Sequence, residues 1–126
     1  MLDVARKRVS EQRLHQVEGL AVMDAQNVHA AVNFATLPGI EVEFEDDFEA
    51  LYANLIALNR YLGTEWGYNY EGRLFTPPFV SFADPQMALV QLDEIMKLGV
   101  PKVIQTSSGP SMHTSPFRPE NDRFWS

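Results

Sequence analysis

No cysteine occurs anywhere in the 126 residues, so disulfides, thiolate metal sites and a cysteine nucleophile are all excluded. That usage fits a cytoplasmic setting. No apolar run approaches the roughly 18–20 residues that a membrane helix needs. The opening MLDVARKRVSEQR carries Asp3 and Glu11 among its bases and no apolar stretch after them, so it is not a secretory signal. Basic residues are outnumbered, ten Lys and Arg against seventeen Asp and Glu. The resulting charge of −7 repels phosphate backbones and argues against nucleic acid as a partner. Four of the ten bases fall in the opening stretch, where they read as a solvated helix face.

Several chemistries lack their motifs. Ser107-Ser108-Gly109-Pro110 has no lysine and no GxGxxG, so it is not a phosphate loop. The same serines have no nucleophile-elbow context. The acidic run from Glu41 to Glu49 lacks the alternating ligand spacing and central glycine of an EF-hand. It reads as a solvated loop leading into a helix N-terminus, where the helix dipole favours negative charge. Neither His-x-His nor Glu-x-His occurs. The three histidines lie far apart: His15 within a helical stretch, His29 at the start of a strand, His113 in a late loop.

What is present is an alternation of helix and strand patterns without an internal repeat. Residues 4–26 hold helix formers and no proline, with Leu14, Val17 and Ala21 on one face, and Asn27 closes the helix. HAAVNFATL, from His29 to Leu37, is an uncharged run of strand length, the pattern of a parallel strand buried on both faces. Pro38-Gly39 breaks it. A helix is predicted from about Asp47 to Leu62, with Phe48, Leu51, Leu55, Leu58 and Leu62 at three- and four-residue steps and Gly63 and Gly67 at its end. Trp66, Tyr68 and Tyr70 then cluster before a strand and read as an aromatic lid. Within RLFTPPFVSFA (73–83) the paired Pro77 and Pro78 cannot donate to a ladder, which confines pairing to Phe79–Phe82.

Asp84-Pro85 is a helix start, an N-cap acid before a proline at the first helical position. Ala88, Leu92, Ile95 and Met96 are its expected buried stripe, and Gly99 ends it. PKVIQT (101–106) gives a third strand. A loop rich in Ser and Pro follows. Phe124-Trp125 reads as the first turn of another helix, capped by Asn121 or Asp122. Strands that alternate with helices imply parallel pairing through right-handed crossovers. A chain that stops as a helix starts is expected to be part of something larger.

The ordered series of these stretches resembles the amidohydrolase-related family, in the group that includes aminocarboxymuconate-semialdehyde decarboxylase. Phe34-Ala35-Thr36-Leu37 resembles its "FPTL"-like strand ending. Leu58-Asn59-Arg60-Tyr61-Leu62 resembles "YNRWL". Arg73-Leu74-Phe75, with Asp84-Pro85 and Ala88, resembles "RLF…P..D…A". Gly99 and Asp122-Arg123-Phe124-Trp125 resemble the glycine and "DP.FDPFW" around a fourth strand.

The resemblance implies an α/β fold, a partial (β/α)8 TIM barrel of about three parallel βα units behind a leading helix. Residues 1–27 would be the leading helix, and 28–67, 73–99 and 100–126 the successive units. It also implies a metal-dependent hydrolase or decarboxylase of a small carboxylate or amide. The family's zinc or other divalent ion is held by ligands on strands absent here, so this chain itself would bind none. Barrel chemistry sits at strand C-termini. By that rule Thr36 and Leu37, Phe82 and Ala83, Gln105 and Thr106, with His113 in the loop beyond, are the substrate-pocket candidates. No catalytic and no metal residue can be carried over. The expected partner is a small molecule, with neither nucleic acid nor membrane. The alternative is a non-catalytic α/β binding module that, with two open strand edges, associates with itself as a homo-oligomer, or an inert truncated product.

Overall fold

A computed structural model describes residues 14, 16–35, 46–106 and 116–126. Residues 16–25 are helical (α1) and close as the sequence predicts. Asn27 takes a left-handed φ of 56°, Asn27 N bonds to Asp24 O at 3.1 Å, and Val28 N reaches back to Met23 O at 2.8 Å, a Schellman closure. The predicted helix before residue 14 lies outside the described residues. Gln16 and Met23 form the buried face of α1, whereas Leu14 and Val17 are each 55% exposed. The apolar face evident in the sequence is therefore the outer one.

Strand β1 spans Ala31–Val32 and pairs in parallel with β3, Leu74–Phe75. The expectation of a strand buried on both faces is corrected here: Val32 and Phe34 are exposed, because no described residue covers the outer edge of β1. Helix α2, Phe48–Tyr61, starts where Asp47 accepts from Ala50 N at 3.0 Å. It buries Leu51 and Leu55 completely and runs into a π-helical turn, Leu62–Trp66.

Strand β2, Asn69–Tyr70, folds back antiparallel onto β3. The turn between them places Glu71 (φ 55°) and Gly72 (φ 64°) in left-handed backbone and closes with Arg73 N on Tyr70 O. Two successive positive φ values are the mark of a type I′ hairpin turn. Glu71 in place of the usual Asn or Asp hid it.

β3 and β4 (Phe79–Val80) are two halves of one extended stretch interrupted at Pro77-Pro78, where no N–H is available. The first half pairs with β1 and β2, the second in parallel with β5, Gln105–Thr106. Between β4 and β5 runs α3, Pro85–Leu98, with Asp84 as N-cap. Its buried face is Ala88, Gln91 and Ile95, whereas the predicted Met96 is 48% exposed. Gln91 displaces Met96 because its amide has backbone partners inside. A 3-10 turn, Pro119–Asn121, leads into a short α4, Asp122–Trp125, with Asn121 at the N-cap position. The larger core joins Leu62, Tyr68, Val80, Phe82, Ala88 and Ile95, and a smaller one joins Leu51, Leu55 and Phe79.

Candidate functional site

The carboxyl ends of β4 and β5 lie side by side, with Phe79 opposite Gln105 and Val80 opposite Thr106. Residues 81–84 carry the chain from β4 into α3, and this turn is tied down from both helices. Tyr52 Oη, on α2, accepts from Asp84 N at 2.8 Å and donates to Ser81 O at 3.2 Å. Gln91 Oε1, on α3, accepts from Ser81 N at 2.9 Å. Ser81 Oγ accepts from Ala83 N at 3.3 Å.

One step back, Asn59 meets both backbone groups of Phe79: Nδ2 donates to its carbonyl at 2.7 Å and Oδ1 accepts from its N–H at 2.8 Å. Tyr52, Asn59 and Gln91 are all buried. Low-dielectric surroundings strengthen these bonds and make each unpaired group costly. The turn is thus rigid, with the N–H groups of Ser81, Ala83 and Asp84 already engaged within the chain.

Sequence reasoning missed this triad. The available signal was polar side chains in the register of the apolar stripes: Asn59 follows Leu55 by four residues, and Gln91 lies three after Ala88 and four before Ile95.

Of the pocket candidates, Phe82, Ala83, Gln105 and Thr106 are described. Phe82 is 1% exposed and forms an edge contact with Phe124 (4.9 Å between centroids) and a stacked one with Trp125 (5.8 Å). Ala83 packs against the smaller core. Gln105 and Thr106 are half-buried, and Gln105 Oε1 is a buried acceptor with no hydrogen-bond partner among the described residues. Thr36, Leu37 and His113 lie outside the described residues, as do His15 and most of the acidic run.

His29 is exposed at the start of β1, and its carbonyl accepts from Arg73 Nε at 2.9 Å. Arg73 also donates to Val28 O and pairs with Asp24 at 2.8 Å, so it fastens the end of α1 to β3. A polar cleft opens there, lined by Asp24, Asn27, His29 and Arg73. A second, more apolar cleft is lined by Asn33, Phe34, Ala35, Leu62, Trp66 and Thr76. The aromatic cluster is divided. Tyr68 is buried with its hydroxyl donating to Asn59 O at 2.8 Å, and burial pushes its pKa up to about 12. Trp66 stays part-exposed, and its carbonyl accepts from Gln16 Nε2.

Among the described residues no three His, Cys, Asp or Glu side chains come together. That donor set does not fit a catalytic divalent ion, which needs at least three converging protein ligands. Among the same residues no helix is long and apolar enough to cross a membrane.

An α/β chain with parallel pairing on both sides of one extended stretch, and helices between the pairs, is similar in fold to the amidohydrolases. The likeness is to a crystal structure of an amidohydrolase from Mycobacterium avium subsp. paratuberculosis K-10, with a TM-score of 0.71 and 28% sequence identity. The match covers 87% of this chain but only 30% of that one. No protein-family model and no curated protein matches the sequence.

Proposed function

We propose that this chain is a segment of a metal-dependent amidohydrolase-like barrel enzyme, a hydrolase or a decarboxylase of a small carboxylate or amide. In this reading it supplies about three βα units of a (β/α)8 barrel, and zinc or another divalent ion is held by residues outside it. The observation that carries the reading is the structural likeness to the mycobacterial amidohydrolase, supported by the parallel pairs β1–β3 and β4–β5. The contribution to the site comes from the strand ends: Thr36, Leu37, Phe82, Gln105, Thr106 and His113 shape a pocket for a small molecule. Tyr52, Asn59 and Gln91 hold the turn behind Phe82 in place, and pre-set geometry of this kind is what barrel loops contribute to catalysis. The enzyme works in the cytoplasm without nucleic acid or membrane.

The test is to express the longest reading frame that contains these residues beside the 126-residue chain. Both are assayed on small amides and aromatic or enol carboxylates with zinc or manganese added. Turnover is expected from the longer protein and none from the chain alone. Turnover by the chain after replacement of all three histidines would sink the reading, as would a longer frame lacking His-x-His.

A second reading, a non-catalytic α/β module that binds or self-associates, draws on the exposed Leu14, Val17, Phe34 and Phe117. Sedimentation of the chain tests it: a stable oligomer with a cooperative melt supports that reading.

A further inference from the structure

Asn59 and Gln91 stand within the buried faces of α2 and α3, 3% and 0% exposed. A primary amide brings one carbonyl oxygen and two N–H donors to its surroundings. In both residues the oxygen is engaged by β4 backbone: Asn59 Oδ1 accepts from Phe79 N and Gln91 Oε1 from Ser81 N. Both nitrogens donate to one and the same acceptor, Phe79 O, at 2.7 Å from Asn59 and 3.3 Å from Gln91. Sharing that carbonyl sets the two nitrogens side by side. Each keeps a second N–H for which no described residue supplies an acceptor. Buried donors are costly to leave unmet, and native structures meet nearly all of them with protein or ordered water.

The two amides line a cleft of about 50 Å³ between α2 and α3. Ile56 and Leu98 are its apolar walls. Arg60, Glu94 and Lys97 stand at its outer end, where one Glu94 carboxylate oxygen meets Arg60 at 3.2 Å and the other meets Lys97 at 2.8 Å. A water needs roughly 10–15 Å³ of such space and two to four polar partners, so both room and partners suffice. Charge decides what kind of acceptor belongs there. Arg60 and Lys97 are matched by Glu94 and by Asp93, which holds Lys97 at 2.8 Å. The lining therefore offers an anion no surplus positive charge, and sets a carboxylate against it. An apolar ligand would leave both N–H groups unmet. A neutral group that accepts at one end and donates at the other suits both the amides and Glu94.

We propose that this cleft is a structural water site, in which at least one ordered water accepts from Asn59 Nδ2 and Gln91 Nε2 and donates toward the Glu94 carboxylate. The water joins α2 to α3 at the level where both helices hold β4, and so extends the network that fixes the turn behind Phe82. The site belongs to the helix pair itself and does not depend on the enzyme reading. A small anion is the competing occupant.

The experiment measures magnetisation transfer from water to the side-chain amide protons of the 126-residue chain, in the rotating frame so that proton exchange is separated by sign. Asn59 and Gln91 should show the strong transfer of a water that stays bound while the molecule tumbles. Asn54, whose exposed amide donates to Ala50 O at 2.8 Å, is the surface control and should show only the weak transfer of passing solvent. Ile56→Phe fills the cleft and should abolish the strong signal at both amides. Ile56→Met, a more adaptable filler, repeats the test should the phenylalanine unfold the chain. Transfer at Asn59 and Gln91 no stronger than at Asn54 overturns the site. So does a strong signal that survives in a folded cleft-filling variant, because the water would then lie elsewhere. Sodium bromide is the probe for an anion. A signal unchanged through the titration supports water, and a signal lost as bromide is added assigns the cleft to an anion and overturns the proposal.

Discussion

At the scale of single residues, stability rests on a few side chains that answer backbone groups. Asp84 Oδ1 accepts from Gln86 N at 2.8 Å and Met87 N at 3.2 Å. Loss of such a cap costs about 1 kcal/mol, so Asp84→Ala should lower the urea midpoint accordingly with the slope unchanged. Asn59 should matter more. Asn59→Ala leaves the N–H of Phe79 without a partner and its carbonyl with only the 3.3 Å contact from Gln91. Buried unsatisfied groups cost about 1–3 kcal/mol each, so a loss of about 3 kcal/mol is expected in the same assay.

Tyr68 gives the chain an alkaline limit. Its folded pKa, about 12, lies above the ordinary value of 10.0 because burial disfavours the phenolate. Below pH 10 both folded and unfolded forms keep the proton, and stability is level. Between pH 10 and 12 the unfolded chain releases the proton first, so stability falls as pH rises. Urea unfolding at pH 9 and pH 11.5 should show that fall, on the order of 1 kcal/mol, and Tyr68→Phe should flatten it.

At the scale of elements, the helices were legible and the strands only in part. Period carried α2, and cap with period carried α3: Leu51, Leu55, Ala88 and Ile95 occupy the predicted buried stripes and Asp84 the predicted N-cap, while Asp47 caps α2 without having been predicted to. Three features were hidden for distinct physical reasons. The β2–β3 hairpin turns on Glu71, a residue that rarely adopts positive φ. The stretch 73–83 serves two sheets because Pro77 and Pro78 break its ladder, a consequence of tertiary pairing that one-dimensional patterning does not carry. Gln91 and Asn59 are buried because they bond to backbone from another element. Of the strand-end candidates, Phe82 is buried in the larger core and Gln105 and Thr106 form β5, whereas the polar triad behind Phe82 was not legible in the sequence.

The π turn offers an element-level test. A Cβ on Gly63 would sit 2.9 Å from both Cζ and Oη of Tyr68 and 3.2 Å from Leu98 Cβ. The Tyr68 ring is held by its bond to Asn59 O and cannot retreat. Gly63→Ala should therefore cost about 2 kcal/mol by overpacking. Gly19→Ala meets nothing within 4 Å and serves as the control.

At the scale of the whole molecule, the proposal that this chain is a segment of a barrel whose metal ligands lie outside it leads to a prediction about metal. A zinc site with useful affinity needs three or four ligands that converge with fixed geometry. Cysteine is absent, and the three histidines stand at 15, 29 and 113 with no His-x-His spacing to bring two onto one strand. His29 is placed at the amino end of β1, where its neighbours are Asp24 and Arg73, and Asp24 is already held by the Arg73 guanidinium at 2.8 Å. The exposed Asp93 and the half-buried Glu94 on α3 are likewise paired with Lys97, each at 2.8 Å. A cation approaching any of these carboxylates must first displace a resident positive charge, which weakens binding further. The isolated chain dialysed against a weak chelator should therefore retain far less than one zinc per molecule, and added zinc should leave its melting midpoint unchanged, since a ligand stabilises only the state that binds it. Stoichiometric retained zinc, or a midpoint that climbs with zinc concentration, would show that the chain builds a metal site of its own and would remove the reason for placing the ligands elsewhere in the barrel.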